Sequence, residues 1–161
     1  MRRAGCLALA ASAVLLTGAT ELAPATATAP ALTPALSGGG EVRVAITGLR
    51  GGRGQVLACL TSRPRAFPDC TKDPAARKLA VSARGEVAFD FAGLAPGRYA
   101  IAVIHDENGN GKMDMMLFVP REGFGFSRDA PVRMGPPSFG SAAFAVAGET
   151  QRQTIHIRYM I

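Results

Sequence analysis

The chain has 161 residues, enough for one domain of ordinary size. It carries 18 Lys and Arg against 12 Asp and Glu, a net charge of +6. The cations are scattered rather than gathered into a block, which argues against a nucleic-acid interface.

The N-terminus reads as an export signal. Arg2 and Arg3 form a positive start, and Cys6 to Leu16 form an apolar run. That run is shorter than the about 20 residues that span a bilayer. Ala25-Thr26-Ala27 fits a cleavage site, so residues 1–27 are expected to leave with a cut before Thr28. Cys6 lies before the apolar run and not at its end, which argues against lipid attachment there. Cleavage removes two cations, Arg2 and Arg3, and one anion, Glu21, leaving +5. No second long apolar run follows, so the expectation is an exported protein, periplasmic or secreted, with no transmembrane segment after cleavage. Residues 28–40 are mostly Ala, Thr, Pro and Gly, a composition that cannot bury a core and reads as a flexible linker.

Residues 41–161 read as a single β-domain. Val42, Val44 and Ile46 alternate with Arg43, Ala45 and Thr47, and Val56 to Leu60 form a short apolar run. Lys78 to Ser82 reads as a further short strand, and Val87, Phe89 and Phe91 alternate again. Tyr99, Ile101 and Val103 follow, then Ala142 to Ala147, then Thr154 to Tyr159 with Ile155, Ile157 and Tyr159 on one face. Period-2 patterning at this spacing, cut by Gly and Pro, predicts an all-β antiparallel sandwich of about seven strands with long loops after the central strand. Asp73 to Leu79, with Pro74 in a first-turn position, is the one stretch expected to form about two helical turns. Cys59 and Cys70 remain after cleavage and read as a disulfide in an oxidising compartment, the competing readings being a reactive thiol or a metal ligand.

Leu94-Ala95-Pro96-Gly97-Arg98-Tyr99 places a Pro-Gly turn directly before an aromatic-led strand. This pattern resembles that of transthyretin-like and collagen-adhesin B-type sandwiches, which implies an immunoglobulin-like arrangement.

That strand leads into Asp106-Glu107-Asn108-Gly109-Asn110-Gly111-Lys112-Met113-Asp114. Oxygen-bearing side chains at every second position, with Gly after the third, match the first half of a calcium loop. Leu117 stands where an EF-hand has its closing glutamate, and no helices flank the loop, so it is not an EF-hand. The candidate ligands are Asp106, Asn108, Asn110, the Lys112 carbonyl and Asp114, with Glu122 able to fold back onto them. Hard oxygen donors suit Ca²⁺, and the small number of carboxylates predicts weak affinity, on the order of 10⁻⁴ to 10⁻³ M. A metal-free loop built on Asn and Gly turns is the other reading.

Glycines alternate with aromatics from Phe118 to Phe126. Phe118, Phe124, Phe126 and Phe139, with His105, are candidates for a ligand surface, against the alternative of a local cluster holding down long loops. The only histidines are His105 and His156, and no G-x-S-x-G, Walker A or H-E-x-x-H motif occurs. No enzymatic activity is expected: a hydrolase using His105 and Asp106 is the least favoured reading, and a histidine that caps a core strand and bonds backbone is favoured over it.

The strings LAPGRYAIAVIHDENGNGKMD, PREGFGFS and GPPSFGSAAF resemble a bacterial family of exported proteins known as domain of unknown function number two-one-four-one. The resemblance runs from about Glu41 to Tyr159 and implies a small β-sandwich outside the cytoplasm. It implies no activity, cofactor or active site. This chain departs from the family pattern at Met115 to Val119, where small or polar residues are usual, and at Gly140-Ser141, where acidic residues are common. The function expected is that of an accessory or binding module in the envelope, its partner an envelope protein or a small apolar or glycan ligand.

Overall fold

A computed structural model describes residues 39–161; the expected export signal and most of the expected linker lie outside the described residues. No described helix is long and apolar enough to cross a membrane. Ten strands follow one another: β1 (Gly40–Thr47), β2 (Gln55–Thr61), β3 (Arg77–Ser82), β4 (Val87–Leu94), β5 (Gly97–Asp106), β6 (Met115–Met116), β7 (Val119–Pro120), β8 (Gly123–Phe126), β9 (Phe144–Val146) and β10 (Thr150–His156). One helical turn, α1 (Phe139–Ala142), precedes β9.

Two sheets form. The smaller has the order β10-β1-β4, the larger β3-β2-β5-β8, with β9 pairing the start of β5. The core between them takes every second residue of each strand, as the pleat requires. Val42 and Val44 of β1, Val56 and Leu60 of β2, Ile101 and Val103 of β5, and Ile155 of β10 are all buried there. Removal of each such side chain from water contributes about 1.5–3 kcal/mol. This is the all-β sandwich that the alternation predicts.

One pairing departs from the antiparallel expectation. β1 and β10 run parallel, from Glu41 opposite Thr150 to Thr47 opposite His156. Parallel neighbours need a long connection, and these two are joined by the whole remainder of the domain. Beyond β10, Ile157 N–H donates to the Thr47 carbonyl, and then Arg158 and Phe124 exchange backbone hydrogen bonds of 2.8 and 2.9 Å. The chain therefore leaves the small sheet and joins the edge strand of the large one.

Strand β8 has the sequence Gly-Phe-Gly-Phe and is buried throughout. Gly123 and Gly125 face the inner side, where Tyr159, Ile157 and Ile155 press directly on the backbone and leave no space for a Cβ. Phe124 and Phe126 point outward and, with Ala100, Ala102, Ala130 and Ala142, form a second apolar cluster on the outer face of the large sheet. Most of β5 is therefore buried on both faces.

Two expected elements are corrected. Asp73 to Leu79 is not helical: two turns lead straight into β3. The Asp73 carboxylate accepts from the Thr61 hydroxyl at 2.5 Å and from the Ala75 N–H at 3.0 Å, and Arg77 onward is drawn into the ladder opposite β2. Ala142 to Ala147 is only partly strand. Ser138 caps a helical turn by accepting from Ser141 N–H, so β9 starts at Phe144.

Cys59 on β2 and Cys70 form a disulfide with Cα atoms 6.4 Å apart across 11 positions of chain. Replacing both with alanine is expected to lower stability by about 2–3 kcal/mol, through release of a short closed loop in the unfolded chain. The urea midpoint measures it, and a midpoint equal to that of the native protein would mean that the bond adds nothing.

Candidate functional site

The acidic loop begins where β5 ends. Gln55 is the cross-strand neighbour of Asp106, and its Nε2 donates to Asp106 Oδ2 at 2.8 Å. Gly111 N–H donates to the same oxygen at 2.8 Å, while Gly109 N–H and Asn110 N–H donate to Oδ1 at 2.8 and 3.1 Å. Gly109 and Gly111 have φ of 74° and 80°, the left-handed backbone that lets consecutive N–H groups turn toward one carboxylate. Asp106 is fully buried. Burial disfavours its charged form, but the four donors outweigh that and hold its carboxyl below the usual range.

The outer half of the loop gathers around Asp114. Asn108 Nδ2 donates to Oδ2 at 2.7 Å, and Asn110 Nδ2 donates to both carboxylate oxygens at 3.0 Å. The two amide oxygens each accept one backbone N–H, from Asn110 and from Lys112, both at 3.0 Å. Each keeps a second lone pair. Asp114 N–H in turn donates to Glu122 Oε2 at 3.2 Å.

Glu122 is the unusual member. It is 4% exposed, and its Oε1 has no hydrogen-bond partner. Burial raises its pKa, the nearby charges of Asp106 and Asp114 add to the rise, and the amides of Asp114 and Glu107 offset part of it. Among the described residues, no three His, Cys, Asp or Glu side chains converge tightly enough to hold a metal by themselves. A cation here would need the amide and carbonyl oxygens of the loop as well.

His105 lies on the core side of β5, fully buried, and is no part of a ligand surface. Its Nε2 lies 2.9 Å from the Arg53 carbonyl and its Nδ1 2.6 Å from the Tyr159 hydroxyl. The carbonyl can only accept, so Nε2 carries the proton and Nδ1 accepts from the tyrosine. Tyr159 also accepts from Arg50 N–H, and the Arg50 guanidinium lies over its ring, 4.4 Å from the centroid, while pairing with Glu107. Gln55, Arg50 and Tyr159 are parts of this site that spacing alone does not reveal. They meet the loop through long-range pairing.

Beside the loop, on the outer face of the large sheet, lies a cleft of about 500 Å³. Phe118, Phe124 and Phe126 line it, and Phe139 does not; it packs edge-on against Phe67, their ring centroids 6.2 Å apart. Met113, Met115, Met134 and Met160 also line the cleft. The clustering of Met113, Met115 and Met116 in the sequence was the available sign of them. Leu117 and Phe118 form the tip of the β6–β7 hairpin at φ of 47° and 72°. They are 87% and 94% exposed. Two large apolar residues held in left-handed backbone at a tip cost about 1–2 kcal/mol each.

These features define an all-β sandwich with an amide-rich acidic loop at the exit of its central strand and an apolar cleft next to it. Residues 44–154 match the family model described as "Uncharacterized protein conserved in bacteria (DUF2141)", and the chain belongs to that family. No curated protein and no solved structure matches it.

Proposed function

We propose that the protein is an exported, non-catalytic binding module whose loop is held closed by a calcium ion. Asp114 and Glu122 supply carboxylate oxygens, Asn108 and Asn110 supply amide oxygens, and Lys112 supplies its carbonyl. Asp106 shapes the turn, because its acceptor positions are already taken by the loop's own N–H groups. The observation that carries the reading is Glu122, a buried carboxylate with an unpartnered oxygen beside the loop. Such a charge costs several kcal/mol unless something positive meets it. Export is supported by the composition of residues 1–27 and by the disulfide. The absence of catalysis is supported by the full engagement of His105 and Asp106 in structural hydrogen bonds.

The test is a melting curve in about 10 mM calcium, which for a site of about 10⁻⁴–10⁻³ M stabilises by roughly 1.4–2.7 kcal/mol. Glu122→Gln is expected to lose that response. The sign with pH follows from the raised pKa of Glu122. Its neutral form favours folding at low pH, and this benefit is lost as pH rises through the folded-state pKa. Calcium takes the charged form, so its stabilising effect is expected to grow as pH rises through that value toward neutrality. No calcium response in the native protein, or an equal one in Glu122→Gln, overturns the proposal.

A second reading, the binding of a small apolar ligand, is favoured by the cleft. Its only ionisable lining residues are Asp69 and Arg133, and its volume suits a small molecule. A glycan needs more hydrogen-bonding groups than these walls offer.

A further inference from the structure

A second cavity, of about 580 Å³, adjoins the first on the same outer face. Pro68, Asp69, Ala102, Ile104 and Met113 wall both. Met113 is unbranched and half-buried, so the wall between the cavities can shift at low cost. The two halves differ in chemistry. The first is bounded by Met115, Phe118 and Phe126; the second carries Lys78 and Lys112. Neither lysine belongs to any of the ion pairs among the described residues. Asp69, on the shared wall, accepts both the N–H and the hydroxyl of Thr71 through Oδ1, each at 3.0 Å. The Thr71 N–H, above all, holds its carboxyl below the usual range, and the charges of Lys72 and Lys78 add to this.

We infer that the two cavities form one elongated site for a single unbranched acyl chain with an anionic head group. The tail lies between Met115, Phe118 and Phe126, and the head lies between Lys78 and Lys112. This rests on the apolar-ligand reading and names its ligand class. Pliable thioether walls follow the bends of a flexible chain, whereas a rigid ring system would fill one cavity and leave the lysines unmet. The cations are unevenly placed: Lys78 and Lys112 both lie on the second cavity, whereas the first has Arg133 alone among mainly apolar side chains, which favours the anionic terminus at the lysine end.

The experiment is displacement of a fluorescent fatty acid from the purified protein by laurate, by methyl laurate and by vesicles of an anionic phospholipid. Laurate is expected to displace the probe about tenfold better than its methyl ester, as two exposed ion pairs together allow. Lys78→Gln/Lys112→Gln is expected to erase that difference while leaving the ester's affinity unchanged. Met113→Gln/Met115→Gln is expected to weaken both. If neither laurate nor ester displaces the probe, the apolar-ligand reading falls with the inference. If both displace it equally, or the lysine variant behaves as the native protein, an apolar ligand stands and the anionic head is wrong. Displacement by vesicles alone also overturns the inference, since it means adsorption to a lipid surface.

Discussion

Asp106→Ala is expected to melt about 10–15 °C below the native protein, a loss of about 3 kcal/mol in a domain of this size. The loss arises because three backbone N–H groups and the Gln55 amide lose their common acceptor at once. Each buried donor left unmatched costs about 1–3 kcal/mol, and water can reach only the outer ones. The deficit is expected in chelator as well as in calcium, because Asp106 serves the turn before it serves any ion. Its pH dependence is opposite to that of Glu122. The folded-state pKa of Asp106 is depressed, against burial, by its hydrogen bonds. The stability it adds is therefore complete above the ordinary carboxylate value of about 3.9 and is lost as pH falls through the lower folded value. Calorimetry of both proteins from acid to neutral pH measures this. A deficit that appears only when calcium is present would make Asp106 a ligand first and would refute the argument.

Gly125→Val is expected to destabilise by about 3 kcal/mol, at the upper end of what overpacking produces, or to prevent folding altogether. A Cβ at this position would sit 2.6 Å from Ile155 Cγ2 and 2.8 Å from the His156 carbonyl oxygen. The second of these is backbone, and it cannot rotate away. Gly109→Ala is the informative comparison. It has positive φ but open space around it, so its penalty is conformational alone, about 1 kcal/mol. Urea denaturation of both variants separates crowding from backbone preference. A Gly125→Val midpoint no lower than that of Gly109→Ala would show that β8 can move away from β10, contrary to the packing described.

The strands with apolar residues on one face were legible because period 2 is a local property. Val42, Val44 and Ile46, or Ile101 and Val103, announce their own burial. Strand β8 was not legible because its inward positions are glycines, whose fit depends on Ile155, Ile157 and Tyr159 some thirty positions later. The helix expected at Asp73 failed for a similar reason. The residues fit a first turn, but Thr61 claims the carboxylate and β2 claims the following segment. In the loop, the turns at the glycines followed from spacing, whereas Asp106 was read there as an ion ligand and its four donors show it holding the turn. The burial of Glu122 did not follow from spacing, since its enclosure depends on tertiary packing around the loop. His105 is a mixed case: alternation placed it on the core face, but its partners Tyr159 and Arg53 lie 54 and 52 positions away and could not be read locally.

The parallel pairing of β1 with β10 has a consequence for the order in which the molecule can be assembled. The strands that meet are 109 positions apart, and the segment after β10 closes the edge at β8 as well. A chain emerging from its N-terminus can pair β2 with β3 while the rest is still to come, but β1 must wait for one of its two neighbours until β10 is released. Contacts of such long range are slow to form. The growing chain therefore holds its first strand paired on one side only until β10 is free, and the small sheet cannot be completed before that strand has been made.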